Sequence, residues 1–306
     1  MRFAPNEDQA ALLSALSQMM QDPSAAWRTR PDWGRHDWAA EFDSLLETQG
    51  FYDAAAENTI GPLGAGLLVI ETARLPVLVE AAASSLIRPR LGADVPRPLA
   101  VVVGDLAQPV RFLPVARAVV HLDGDTVRLA HLSAVAVPAA ETIFAYPMGY
   151  LPEGLEWQDI DAKDLHSLWQ SGIALEMVGA LQGGLDAVVA HVTDRRQFGR
   201  PLGAFQAVQH RLAEAAVKVE GARWLALRAL GGDAAAAAMA LGHVQQAAQG
   251  IVYDLHQFMG ASGLTLEHPL HRWTYRLRLL GSAYGGGAHN LARAAAATWG
   301  KRDDLS

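Results

Sequence analysis

The chain has 306 residues, 51% hydrophobic and 19% charged, enough to bury a sizeable core and too apolar to remain disordered. A formal charge of −7 argues against a broad nucleic-acid-binding surface, so any anion site must be local and built from a few arginines. Cysteine is absent, which excludes disulfides and thiol chemistry; with no leader-like start and no unbroken apolar run of about 18 residues, the expectation is a cytoplasmic protein without a membrane span.

Leu12, Leu13, Leu16, Met19 and Met20 share one face of a first helix over Asn6–Met20, with Asn6 as its N-cap. Pro23–Asp37 reads as a connecting loop, and Trp38–Gln49 as a second helix that stops near Gly50. The glycines of Gly61–Gly66 follow no strand, so that segment is a helix-opening loop and not a dinucleotide fingerprint. Leu67, Leu68, Ile70, Leu75, Leu78 and Val79 suggest one buried helix over Ala65–Leu91, ended by Gly92. Between Leu99 and Pro147 the period changes to short β-branched runs at Val101–Val103, Val119–Leu122, Val127–Leu129 and Val135–Val137. Asp123-Gly124 is a hairpin turn between two of them, so a small antiparallel sheet is expected, followed by a linker at Pro147–Gly154.

The rest is helical. An apolar stripe from Leu165 to Val192 predicts a helix of roughly thirty residues; a second runs to about Leu230, Asp233 caps an Ala-rich third that reaches Gly260, and a fourth starts at Pro269 and is interrupted at Gly285–Gly287. The reading is mainly α with a small β domain (α+β): N-terminal helices over residues 1–95, the sheet over 96–150, and a C-terminal four-helix up-down bundle over 151–306.

The most informative stretch is Asp194–Ala215. Arg195, Arg196, a Phe198-Gly199 turn and Pro201 lead into a helix, a setting where guanidinium and backbone N–H groups can meet an anion. Arg195, Phe198, Gly199, Gln206, Gln209 and Leu212-Ala213-Glu214 resemble the R-x-x-F-G…Q-x-x-Q loop of the flavin-dependent acyl-CoA dehydrogenases. Gln257, Gly260, Gly263, Thr265, Glu267, Pro269 and Arg276 follow that family's Q-x-x-G-G-x-G-x-T-x-E-x-P pattern, with Ala261 in place of the second glycine.

The resemblance, strongest over Leu165–Ala297, implies FAD as cofactor, an acyl-CoA thioester as substrate and an electron-transfer flavoprotein as acceptor. It implies that the flavin ring lies between sheet and bundle of one subunit while its diphosphate and adenosine run into the bundle of a neighbour. Carried over, Arg195 pairs with the diphosphate, Phe198 packs by the adenine, and Gln197, Gln206, Gln257, Gly260 and Ala261 belong to the cofactor-binding set. The family's proton-abstracting Glu falls on Gly285 here, and its other known location falls near Trp169 and Gln170, neither of which can act as a base. Glu176, two turns further along the first bundle helix, is the remaining candidate base, or else an ion-pair partner. The family's flavin-gripping strand motifs are not found. The pattern resembles the non-catalytic partner of heteromeric acyl-CoA dehydrogenases, in which another chain brings the Glu and the ring site. Two alternatives stand beside it: an inactive homologue acting as an assembly or binding module, and a self-sufficient enzyme using Glu176. His268 and His271 lack a third ligand, so no metal is expected.

Overall fold

A computed structural model describes residues 4–22, 33–92, 94–132 and 136–300. Helix α1 (Glu7–Gln21) starts with a reciprocal cap, Asn6 Oδ1 accepting the Gln9 N–H and Gln9 Oε1 accepting that of Asn6, and α2 (Ala40–Thr48) stops before Gly50, whose φ is 75°. Most of the expected Pro23–Asp37 loop lies outside the described residues.

The single helix expected over Ala65–Leu91 is two pieces. Helix α3 (Gly61–Ala73) ends ahead of Pro76, and a π-turn over Ala83–Ile87 leads into α4 (Arg88–Leu91), which Gly92 terminates. The break is held from a helix some 200 residues away. Arg276 donates to the carbonyls of Ala73 and Leu75, Trp273 Nε1 to that of Arg74, and Arg272 to that of Pro76. Carbonyls freed by the break are thus satisfied in the interior, where leaving them bare would cost about 1–3 kcal/mol each.

Strands β1 (Leu99–Val103), β3 (Ala118–Asp123), β4 (Thr126–His131) and β6 (Gln158–Asp159) form one sheet in the order β1-β3-β4-β6, with β2 (Val110–Arg111) and β5 (Met148–Gly149) forming a separate two-stranded ladder. The Asp123-Gly124 hairpin is as expected. The pairing differs in one respect: β1 runs parallel to β3, Val101 opposite Val120, because the chain between them crosses over through β2 before β3 begins. Part of the expected linker is strand β5, and the described residues of the Val135–Val137 run, Ala136 and Val137, are not in a strand.

A buried polar cluster ties the N-terminal helices to β1. Arg97 donates to Asp43 at 2.7 Å, to Glu47 at 3.1 Å and to Ser84 Oγ at 3.0 Å, with its guanidinium 3.7 Å from the Tyr52 ring centre. Glu80 accepts the N–H groups of Ala83 and Leu99 and the Ser84 hydroxyl. Burial pushes Glu80 up to about 7, against the pull of Arg97 and its hydrogen-bond donors.

Helices α5 (Leu165–Asp194), α6 (Gln206–Ala229) and α7 (Ala234–Met259), capped by Asp233, form three arms of the bundle. The fourth arm is two helices, α8 (Leu270–Leu280) and α9 (Gly286–Trp299). Buried Gln245 donates to the carbonyls of Leu280 and Ala283, and Asn290 to that of Ala283 and to Gln245, which holds the bend between them. Helix α5 is the central element: Gly179 and Gly183 let α3 approach so closely that an added Cβ would sit 2.2 Å from the Ile70 carbonyl and 2.3 Å from that of Arg74. By length and apolarity α5 meets the measure of a membrane span, yet 72% of its most apolar window is buried inside the molecule, as for a core helix.

Candidate functional site: an exposed bundle end and a crevice

In an up-down bundle, the end of α5, the start of α6, the end of α7 and the start of α8 must lie at one end. The Arg195 loop and the Gly260 turn are therefore neighbours by topology. Electrostatics agree: burial pushes His268 below the ordinary histidine value, and the charges of His191, in the last turn of α5, and of His271 add to the shift.

At this end β7 (Arg196–Gln197) and β8 (Arg200–Pro201) make a hairpin whose two turn residues, Phe198 and Gly199, have φ of 53° and 82°. The Leu202 N–H closes the loop on the Arg195 carbonyl at 2.8 Å. Phe198 stands at the tip, 87% exposed, edge-on to Phe205, whose ring takes the Arg200 guanidinium at 4.1 Å. Phe205 is also the N-cap of α6 and offers no side-chain acceptor to the first-turn N–H groups beside Gln206. Across the bundle end, Gly260 has φ 61° and ψ −143°, a conformation open essentially to glycine alone, and nothing lies within 4 Å of where its Cβ would be. Arg195, Gln197, Phe198, Gln206, Gln257, Gly260 and Ala261 are all exposed. Of the rest of the second motif, Thr265 and Glu267 are exposed, while buried Gly263 packs near Met259 and Leu270, Pro269 is the N-cap of α8, and buried Arg276 supports the α3 break.

The second place is a crevice of about 400 Å³ between sheet and bundle, walled by Val101, Val103, Met148, Trp169, Tyr284 and Gly285. At its floor the buried Arg111 meets Glu176 through two hydrogen bonds of 2.9 and 2.6 Å. The guanidinium lies 5.0 Å from the Trp169 ring centre, 5.2 Å from Tyr146 and 5.6 Å from Phe112. Both Glu176 oxygens thereby accept from Arg111, the ion-pair arrangement that the sequence left open for this residue beside the role of a base. The expected base position is altered at backbone level: Tyr284, Gly285 and Gly286 have φ of 53°, 82° and 83°, and a Cβ on Gly285 would press on the His289 ring at 3.0 Å. Tyr284 is anchored by its hydroxyl, 3.0 Å from His166 Nδ1. Trp169 and Gln170 are buried, and the one carboxylate among the described lining residues, Asp105 at the rim, accepts the Ala107 N–H.

His271 bonds the carbonyls of Gly34 and His268, while His268 Nδ1 accepts the Leu270 N–H. Among the described residues no group of three His, Cys, Asp or Glu converges. The sequence reading overlooked Arg111. A charged residue between Val110 and Phe112 in an apolar strand, with a carboxylate on the apolar stripe of α5, is the signal that pairs them.

Residues 171–299 match the model of the acyl-CoA dehydrogenase C-terminal domain. Acyl-CoA dehydrogenase IpdE2 of Mycolicibacterium smegmatis is 37% identical over 112 residues, covering 36% of this chain and 35% of that protein. The mitochondrial short/branched chain specific acyl-CoA dehydrogenase of Bos taurus is 33% identical over 121 residues, 38% and 28% of the two chains. The match thus spans about a third of these curated relatives. A steroid ACAD variant superposes with TM-score 0.76 at 20% identity over 95% of this chain and 98% of that one, and the ChsE4-ChsE5 complex from Mycobacterium tuberculosis with 0.74 at 19% over 96% and 97%. The whole chain therefore has the acyl-CoA dehydrogenase fold.

Proposed function

We infer that this chain, a member of the acyl-CoA dehydrogenase family by its C-terminal domain, completes the FAD site of a partner subunit that supplies the base for α,β-dehydrogenation of an acyl-CoA thioester. The observation that carries the reading is a contrast: the residues expected to meet the diphosphate are exposed, with Ala261 in place of one glycine, while the expected base position is Gly285 in a backbone that disfavours any side chain. The bundle end suits a dinucleotide tail. Arg195 offers a planar cation for a diphosphate, the α6 terminus offers uncapped N–H groups, and the bare Gly260 lets a ligand approach the backbone. Phe198 gives an aromatic face for the adenine.

FAD, when bound, accepts hydride from the β-carbon of the thioester. This chain holds the cofactor's tail and contributes no group that takes the α-proton; that proton goes to a carboxylate of the partner. An electron-transfer flavoprotein would be the acceptor of the electrons.

Co-expression with a longer homologous chain that carries an intact Glu is the test. The expected product is a yellow complex that dehydrogenates acyl-CoA only when both chains are present, and that loses FAD with Arg195→Ala. A colourless, inactive complex overturns the reading. Formation of the complex with FAD content untouched by Arg195→Ala favours the assembly-module alternative.

A further inference from the structure

Two half-buried histidines mark where the two loops of the bundle end come together. His191 lies in the last turn of α5, and its carbonyl accepts the Arg195 N–H at 2.8 Å. His268 stands between the Gly260 turn and α8, near enough to His191 and His271 for their charges to act on it. The backbone decides which nitrogen of His268 carries hydrogen. Leu270, the first residue of α8, donates its N–H to His268 Nδ1 at 3.1 Å, so Nδ1 is an acceptor and a neutral ring holds its one hydrogen on Nε2. Among the described residues Nε2 has no hydrogen-bond partner, and it is not shut off from solvent. The neighbouring His271 is engaged elsewhere, its two ring nitrogens on the carbonyls of His268 and Gly34.

We propose that His268 is a further anchor of the cofactor tail, a neutral imidazole whose Nε2–H donates to a diphosphate oxygen beside Arg195. The inference deepens the function proposed above and rests on it for the identity of the ligand. A charge on this ring is opposed from two sides. Burial holds His268 below the ordinary histidine value, with His191 and His271 adding to the shift, and a second hydrogen, on Nδ1, would displace the Leu270 N–H. His191 is itself held low, by burial and by Arg195, against the pull of Asp194. An uncharged donor suits such a place. It adds no repulsion toward Arg195 and His191 in the free chain, and a ring oriented in advance by Leu270 loses little freedom when a ligand docks. Arg195 would supply the charge for the diphosphate and His268 a directed hydrogen bond, one from each loop.

The test titrates the full purified chain with ADP, which carries the diphosphate and adenine of FAD without the flavin, and follows the isotope-labelled histidine rings and arginine side chains by NMR. At neutral pH the free His268 ring should carry hydrogen on Nε2 and none on Nδ1, and ADP should move both its Nε2–H and the Arg195 Nε–H signals. In the flavin-loaded complex, His268→Phe should weaken FAD retention about two- to tenfold, the size of one uncharged hydrogen bond, whereas His268→Gln, whose amide N–H stands in for Nε2–H, should keep most of it. A hydrogen on Nδ1, an ADP titration that moves Arg195 and leaves His268 unmoved, or equal losses in the two variants overturns the proposal; if a variant fails to fold, the native titration decides alone. ADP that moves neither residue, together with a co-expressed complex that lacks flavin, is instead the failure of the proposed function and takes this inference with it, so the two failures are distinguishable.

Discussion

The bundle end and the crevice use arginine in opposite ways. Arg195 and Arg196 are exposed on a hairpin beside a helix terminus without a side-chain cap, whereas Arg111 is enclosed, its two terminal nitrogens bound to one carboxylate. A solvated guanidinium costs the fold little and remains available to a ligand. A buried one must be satisfied internally, and once satisfied it is unavailable. Charge alone therefore does not mark a binding site in this fold; its exposure and the geometry of its partners do.

The strongest way to break the contrast is to remove one half of the buried pair. Glu176→Ala strands the Arg111 charge and should lower stability by roughly 3–5 kcal/mol in a urea titration, while Arg195→Ala should stay within about 0.5 kcal/mol of the native chain. Equal losses at the two sites would erase the distinction.

Glu80 gives a pH handle on the interior. Its folded value is raised to about 7 from an ordinary 4.5, so the unfolded chain ionises first as pH rises. The contribution is fully present below about pH 4.5 and declines up to about pH 7, by an amount on the order of 3 kcal/mol. Denaturant midpoints across that window should fall for this group's share, and Glu80→Gln should flatten that part of the profile.

At the open end the readout is binding. In the flavin-loaded complex, Arg195→Ala should weaken FAD retention by roughly 1.5–3 kcal/mol, about ten- to a hundredfold, measured as flavin released on dilution. Gly285→Glu probes the altered base position: it should cost about 1–2 kcal/mol from the positive φ and leave the chain without dehydrogenase activity of its own. The smallest effect is expected at Phe198. Phe198→Gly relieves a left-handed φ and should change the stability of the isolated chain by no more than about 1 kcal/mol in its favour, yet loosen FAD in the complex.

Much of the architecture was legible from short-range signals. The Asn6 and Asp233 caps, the thirty-residue stripe of α5, the Asp123-Gly124 hairpin and the Phe198-Gly199 turn depend on residues within a few positions of one another, where periodicity and backbone preference act directly. The exposed bundle end was legible for the same reason: it is a loop and a turn, each with its own local signal in sequence.

Tertiary structure decided the rest. Nothing local breaks the apolar run after Ala73 more strongly than Pro76, and what holds that break is a set of donors on α8. Likewise β1 pairs parallel with β3 because of a crossover, and Glu176 is held in an ion pair because Arg111, 65 positions earlier, arrives beside it. Sequence by itself set which segments could be helix, strand or anion-facing turn, since those choices are made by neighbours along the chain. Which charges stayed available for chemistry was set only when distant segments packed, because a buried ion's role is fixed by the partner that desolvation forces it to find.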